Sequence, residues 1–350
     1  MRFSVIVPLY NRPEEIRELL ESLTLQTRQD FEVIVVEDGS TEDAQDIVES
    51  FSDRLDVRYF WKENERQGFT RNFGFERANG EWLVVFDSDC LIPERYFEFV
   101  GDFLDRNPDV DVFGGPDAAH GSFTSVQKAI SHAMTSMLTT GGIRGRKRNV
   151  GTYHPRSFNM GISRRAYQVS GGYAITVKGE DIEFSMRLIA HGLKSVLIPE
   201  AHVYHKRRTD FKQFRKQVEF FGRARVNIRR FFPGSLKPVH WLPTVFLIYV
   251  FMMLPASVML SVWSGGALAW TLLPFVPYAV WHLALFIEAA IQSRSLAVAW
   301  LAPNAARIQL TSYGWGLLSE YLAVVVLRKR DSLMGEIRKV PPVPANNAGS

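Results

Sequence analysis

Four short runs of apolar and β-branched residues, Phe3–Leu9, Phe31–Val36, Val57–Trp61 and Trp82–Phe86, recur near the N-terminus with helical segments between them. Such runs read as buried strands, and strands that alternate with helices predict a doubly wound α/β sheet. The first intervening helix is marked by Pro13 near its start and by Glu14 and Glu15 in its first turn. Ile16, Leu19, Leu20 and Leu23 then follow at helical spacing. Polar clusters sit just past the strands, at Pro8-Leu-Tyr10-Asn11, Glu37-Asp38-Gly39-Ser40 and Asp87-Ser88-Asp89. In open α/β sheets, ligands bind in the crevice at the carboxyl ends of the strands.

Asp87 and Asp89 close an apolar strand, where two acids repel and desolvate poorly. A divalent cation relieves that cost, and a few carboxylate oxygens completed by water and substrate phosphate suit Mg²⁺ or Mn²⁺. A second acidic pair in Gly179-Glu180-Asp181 supplies a candidate general base. No Gly-x-Gly-x-x-Gly turn follows the first strand and no Walker loop occurs, which argues against a dehydrogenase or a P-loop NTPase. The single cysteine, Cys90, excludes an intramolecular disulfide and fits a reducing compartment. It directly follows Asp89, but a lone buried thiol reads as a small apolar residue before a ligand. The N-terminus runs straight into a strand with no charged-then-apolar leader, so this domain is expected in the cytosol.

Several ordered motifs together carry a family resemblance. Val5-Ile-Val-Pro-Leu-Tyr-Asn11, Val-Val-Glu37-Asp-Gly-Ser40, Gln67-Gly-x-x-Arg71-Asn72-x-Gly74, Asp87-x-Asp89 and Gly179-Glu-Asp181 resemble family 2 glycosyltransferases of the GT-A fold, over about residues 3–230. The resemblance implies a Rossmann-like mixed sheet flanked by helices and inverting sugar transfer from a nucleotide-diphosphate donor, with Mn²⁺ or Mg²⁺.

Carried onto this sequence, the resemblance assigns Pro8, Tyr10 and Arg12 to the base pocket, Tyr10 being able to stack on the ring. Asp38 is to accept from the base or ribose, Arg71 to face the phosphates, and Asp87 with Ser88 to face the bound nucleotide. Asp89 and the late His205 are the implied metal ligands, with His202 near enough in sequence to be confused with His205. Asp181 is the expected base and Glu180 the second choice, on an amphipathic helix that Glu183 and Arg187 brace. Tyr153, His154 and Arg156 precede the strand expected to border the acceptor.

The C-terminal third changes character. Hydrophobic residues make up 46% of the chain, an ordinary share, yet residues 242–287 are almost free of charge. Before them lies a basic, aromatic stretch with Lys206, Arg207, Arg208, Lys212, Arg215, Lys216, Arg223, Arg225, Arg229 and Arg230. Nucleic acid binds such stripes, but the apolar segment that follows points to a membrane surface instead. Leu242–Trp263 as a helix would be about 33 Å long, enough to cross the hydrocarbon core. Leu268–Ile287 is a second span, and Pro255 in the first and Pro274 and Pro277 in the second are tolerated. Residues 296–327 carry Asn304, Arg307, Gln309, Ser312, Ser319 and Glu320 and read as an amphipathic interfacial segment. A third crossing would also put Arg328-Lys-Arg330 outside.

The expected organisation is therefore a catalytic domain at 1–205, a juxtamembrane helix at 206–235 and two transmembrane helices within 236–290. An interfacial segment at 291–330 and a disordered tail at 331–350 complete it. The expected activity is transfer from a nucleotide sugar, UDP-linked by family analogy, to a hydroxyl of a membrane-linked or envelope glycan. It would take place on the cytoplasmic face of the inner membrane, as in bacterial surface-glycan assembly. The processive motif Gln-x-x-Arg-Trp is missing, the helix reading Lys216-Gln-Val-Glu-Phe-Phe-Gly-Arg223, which favours single transfer. The alternatives are a polyprenyl-phosphate glycosyltransferase and a non-catalytic adaptor that binds nucleotide or glycan.

Overall fold

A computed structural model describes residues 1–118, 120–140, 153–176, 179–206, 208–329 and 337–343. Arg207 and Arg330 of the basic runs, and most of the expected disordered tail, lie outside these. The chain forms two compact units, one of residues 1–120, 146–206 and 331–350, the other of residues 121–145 and 207–330. The expected boundary was at 205; residues 121–140 group with the helical unit, and residues 337–343 with the first.

The first unit is built on a seven-stranded sheet and a small three-stranded one. In chain order the strands are β1 (Phe3–Leu9), β2 (Phe31–Asp38), β3 (Val57–Lys62), β4 (Trp82–Phe86) and β5 (Cys90–Leu91). They continue with β6 (Val112–Gly114), β7 (Asp117–Ala118), β8 (Asn159–Ser163), β9 (Ser195–Leu197) and β10 (Val203–His205). The large sheet runs β3-β2-β1-β4-β8-β6-β9, and β5-β10-β7 forms the small one. The first four strands are parallel, whereas β8 runs antiparallel to both of its neighbours. The mixed sheet matches the expected fold class.

Both faces of the sheet are buried, as the near-continuous apolar runs require. On one face Val5, Val7, Val33, Val35, Val84 and Phe86 pack with Ile16, Leu19, Leu20 and Leu23 of the Pro13–Thr24 helix. Phe97, Val100 and Leu104 of the Tyr96–Arg106 helix join them. On the other, Ile6, Ile34, Leu83 and Val85 meet Phe75, Phe184 and Leu188. Each such side chain contributes roughly 1.5–3 kcal/mol on burial. The Arg66–Arg77 helix lies very close to its neighbours: a Cβ on Gly74 would fall 2.5 Å from Ile6 Cγ2, and one on Gly68 would fall 2.4 Å from the Ile175 carbonyl. The spacing of glycines in Gln67-Gly-x-x-Arg71-Asn72-x-Gly74 is thus a packing requirement.

Among its described residues the helical unit contains two helices that are long and apolar enough to cross a membrane by length and composition. They are Pro238–Trp263 with mean hydropathy 2.3 and Leu268–Ser293 with 1.5. The second runs past the expected end at Ile287 and includes Glu288, which accepts from Ser136 Oγ at 2.6 Å. In the Phe211–Ile228 helix, Lys212, Arg215 and Lys216 are exposed while Phe214 and Val218 are buried.

The Leu296–Tyr321 helix corrects an expectation. It packs on the Ser125–Thr135, Phe211–Ile228, Leu242–Trp263 and Val276–Ser293 helices and buries Ala302, Ala306, Gln309, Ser312, Leu317 and Glu320. Its polar residues are spent in helix contacts and do not form one wet face. Backbones meet closely here, since a Cβ on Gly316 would come 2.1 Å from the Glu219 carbonyl.

Candidate active site

The strand order reverses at β1, with β2 on one side and β4 on the other. The loops after β1 and β4 therefore flank the crevice where a doubly wound sheet binds its ligand. Asn11, in the first of these loops, holds a positive φ of 52°. Its N–H donates to Ser40 Oγ at 2.7 Å, and its Oδ1 accepts from the Thr41 N–H at 2.8 Å. The β1 and β2 loops are thereby stapled together. This positioning role was missed in the sequence, although Asn is among the few side-chain-bearing residues that take up such a φ readily. Pro8 is half-buried and Tyr10 is 51% exposed at the rim, where its ring face is accessible.

Asp38 ends β2 and is buried. Its Oδ1 accepts from the Glu65 N–H at 2.9 Å and from Lys62 Nζ at 3.3 Å. Asn64 Nδ2 donates to the Asp38 carbonyl at 2.7 Å, so the carboxylate is held rigidly at the strand end.

β5 and β10 bring the two expected metal ligands together. β10 runs antiparallel to β5 with His205 opposite Cys90, which places His205 Nε2 3.1 Å from Asp89 Oδ1. The Phe158 ring stacks on the imidazole with centroids 5.0 Å apart. His202 is half-buried, packs on Tyr204 instead and takes no part.

The guanidinium of Arg12, expected in the base pocket, is bound to Asp89 Oδ2. Burial would raise the Asp89 carboxyl, but His205 and Arg12 outweigh it and hold the group far below the usual carboxylate range. Apart from His205 Nε2, Asp89 Oδ1 has no neighbour to bond to, and His205 Nδ1 is buried without a hydrogen-bond partner. An oxygen–nitrogen donor set of this kind fits a divalent cation, Mn²⁺ better than Mg²⁺ because of the imidazole. Cys90 Sγ lies in the same cluster. Burial pushes its thiol up, and it donates to the Phe158 carbonyl at 3.6 Å, so it stays a protonated, apolar neighbour.

Arg71 also departs from expectation. Its side chain is 1% exposed, its Nη2 meets Asp87 Oδ1 at 2.8 Å, and its Nη1 meets Glu180 Oε1 at 3.0 Å. The Tyr173 ring lies 5.4 Å from the guanidinium. Arg71 thus ties Asp87 to Glu180 and has no open face for a phosphate. Ser88 is buried between the two acids of its motif.

Glu180 and Asp181 open the Glu180–Ala190 helix, where its dipole favours acids. Their environments differ. Glu180 is buried and accepts from Gln67 and Arg71. Burial and the adjacent Asp181 charge push its carboxyl up, while Arg71 pulls it down. Asp181 retains 21% side-chain exposure, its Oδ1 accepting from the Ile182 N–H at 2.8 Å and its Oδ2 from Arg156 at 3.3 Å. Of the pair, Asp181 alone is presented to solvent. Among the residues ahead of β8, Arg156 reaches this carboxylate, whereas the Tyr153 hydroxyl points to the Gly115 carbonyl and His154 Nδ1 lies 3.1 Å from Ser185 Oγ. Glu183 and Arg187 pair at 2.7 Å as their spacing predicts, and Arg187 also donates to the Gly172 carbonyl at 2.6 Å.

Residues 4–170 match the family model described as glycosyl transferase family 2. Over those residues the chain is similar to family 2 glycosyltransferases. A glycosyltransferase of Haemophilus influenzae is 29% identical over 209 residues, 58% of this chain and 75% of its own length. The poly(ribitol-phosphate) β-N-acetylglucosaminyltransferase TarS of Staphylococcus aureus is 37% identical over 111 residues, 31% of this chain. A Rickettsia felis glycosyltransferase is 35% identical over 106 residues, 30% of this chain. These matches span 19% and 18% of the staphylococcal and rickettsial proteins. In fold, the chain resembles the mannosyltransferase PcManGT of Pyrobaculum calidifontis, solved with GDP-mannose and Mn²⁺. The TM-score is 0.54 at 16% identity, over 91% of this chain and 87% of that one.

Proposed function

We propose that this chain is a family 2 glycosyltransferase and moves a sugar, with inversion, from a nucleotide-diphosphate donor to a hydroxyl of a membrane-linked or envelope glycan. The observation that carries the reading is the Asp89–His205 pair, whose carboxylate oxygen and ring nitrogen converge to 3.1 Å beside the switch point of the sheet. Asp89 and His205 would hold Mn²⁺ or Mg²⁺, whose charge offsets that of the departing nucleoside diphosphate. Tyr10 and Asp38 would bind the base and ribose, with Pro8, Asp87 and Ser88 completing the wall of that crevice. Arg12 sits where it can pass from Asp89 to a donor phosphate.

Asp181 would take the proton of the acceptor hydroxyl as that oxygen bonds to the anomeric carbon and the bond to the diphosphate breaks. One displacement inverts the configuration and calls for no enzyme nucleophile. The two apolar helices and the exposed Lys212, Arg215 and Lys216 support attachment to the cytoplasmic membrane, with the first unit in the cytosol. A UDP-sugar is the favoured donor and single transfer the favoured mode.

A second reading, in which the acceptor is a polyprenyl phosphate, is supported by Arg156 beside Asp181, since a guanidinium suits a phosphate acceptor. A phosphate needs little deprotonation, so Asp181→Asn would then be tolerated.

The test is release of nucleoside diphosphate from a panel of UDP- and GDP-sugars by the detergent-purified chain, with Mn²⁺, Mg²⁺ or EDTA. Metal-dependent release from one donor, abolished in Asp89→Ala, is the expected result. No release and no calorimetric binding of any donor would leave the protein a non-catalytic adaptor.

A further inference from the structure

Residues 337–343 do not trail away from the first unit. Ile337 forms an antiparallel bridge with Ile175, and the Arg338 N–H donates to the Ala174 carbonyl at 2.8 Å. The Arg338 guanidinium lies 4.5 Å from the ring of buried Phe69 and 3.9 Å from Glu76, while Pro341 packs on Gly171. The expectation of disorder from 331 onward therefore fails for residues 337–343. Their Pro-rich composition ruled out a helix but left open this extended pairing.

The segment they clasp, Gly171–Thr176, is held on its other side by the motif helix. Asn72 Oδ1 accepts from the Tyr173 N–H at 2.7 Å, and Asn72 Nδ2 donates to the Tyr173 carbonyl at 2.8 Å. Thr176 Oγ1 donates to the Glu65 carbonyl at 2.7 Å. Glu65 is also the residue whose N–H holds Asp38. The same chain segment leads into Gly179-Glu180-Asp181, so the clasped backbone is the lead-in to the proposed base. Phe69 and Glu76, which Arg338 touches, flank Arg71 on one helix.

We infer that Ile337, Arg338 and Pro341 are positioning residues for the reaction. They form a strap that fixes the Gly171–Thr176 backbone and with it the placement of Asp181. The inference rests on the proposed role of Asp181 as base. It assigns the strap no contact with donor or acceptor, so donor affinity is independent of it while the rate is not. A displacement of about 1 Å at a reacting group can cost on the order of 100-fold in rate, so a modest loosening of this backbone is a large kinetic effect.

The experiment compares the full chain with Arg338→Ala, Arg338→Lys and a chain ended after Glu336. The donor is whichever of UDP-N-acetylglucosamine or GDP-mannose the wild type turns over. UDP binding by calorimetry, thermal midpoint and hydrogen exchange of residues 171–185 are measured in parallel. The shortened chain is expected to lose roughly 10- to 100-fold in kcat with donor KM and UDP affinity within about twofold. Its 171–185 amides should exchange faster while those of β1 and β2 do not. Arg338→Lys, which keeps the cation near Glu76, should recover part of the rate lost in Arg338→Ala. An unchanged kcat with Asp181→Asn inactive would overturn the strap and spare the base. An active Asp181→Asn would overturn the base itself. Parallel falls in kcat, UDP binding and thermal midpoint would reduce the tail to general stabilisation and also defeat the inference. If neither donor is turned over, unchanged exchange in 171–185 on shortening is the result that defeats it.

Discussion

Arg71 Nη1 meets Glu180 Oε1 at 3.0 Å with both side chains out of solvent reach, joining two segments more than a hundred residues apart in sequence. A guanidinium buried to this degree is a structural tie whose removal strands a carboxylate in an apolar setting. Arg71→Ala is expected to lower unfolding free energy by about 3–5 kcal/mol, seen as a fall in the urea midpoint. Arg71→Lys should recover little of it, because one ammonium lacks the fork that spans Asp87 and Glu180. A loss of donor affinity at unchanged stability would instead restore Arg71 to the phosphate-binding role.

The two acids at the head of the Glu180–Ala190 helix should respond differently to neutral isosteres. Asp181→Asn removes a proton acceptor that faces solvent, and is expected to cut kcat by roughly 100- to 10,000-fold with donor KM and thermal midpoint nearly constant. Glu180→Gln leaves Arg71 with one carboxylate in place of two, so its main effect should be a lower thermal midpoint. If Glu180→Gln is stable but inactive while Asp181→Asn works normally, the roles are exchanged.

Acid stability offers a third test, at Glu32. Burial raises its carboxyl, but Ser4 Oγ at 2.6 Å, the Asn79 N–H at 2.6 Å and Arg58 outweigh that and leave it below the ordinary glutamate value. A carboxylate with a depressed folded pKa stabilises the fold above its unfolded pKa. That contribution is lost as pH falls through the folded value. Chemical denaturation at a series of acidic pH values should show wild-type stability dropping more steeply than that of Glu32→Gln. Equal slopes would mean the hydrogen bonds do not favour the ionised form.

What the sequence disclosed and what it hid divides along local and non-local lines. The strands were readable because Val5, Val7, Val33 and Val35 face one buried layer and Ile6 and Ile34 the other, a pattern set by neighbours in the chain. The strand-end position of Asp38, Asp87 and Asp89 followed directly from those strands. The type and motif of Arg71 suggest phosphate, while its partners in the fold arrive from the loop after β4 and from the Glu180–Ala190 helix. The pairing of Arg12 was equally hidden, its partner Asp89 lying on a neighbouring loop. Gln309, Ser312 and Glu320 looked like a wet helix face, yet several helices packing around Leu296–Tyr321 bury them. The clasp of Arg338 on Ala174 left no local signal at all.

The pairing of β10 with β5 also sets a schedule for synthesis. A ribosome delivers β1, β2, β3 and β4, the four mutually parallel strands, early. The imidazole that meets Asp89 leaves the exit tunnel only once Val203–His205 has been made. A stalled or clipped product that stops short of that strand keeps the early crevice but lacks one of its two proposed cation ligands. Under the proposed reaction, donor turnover is thereby tied to a finished domain.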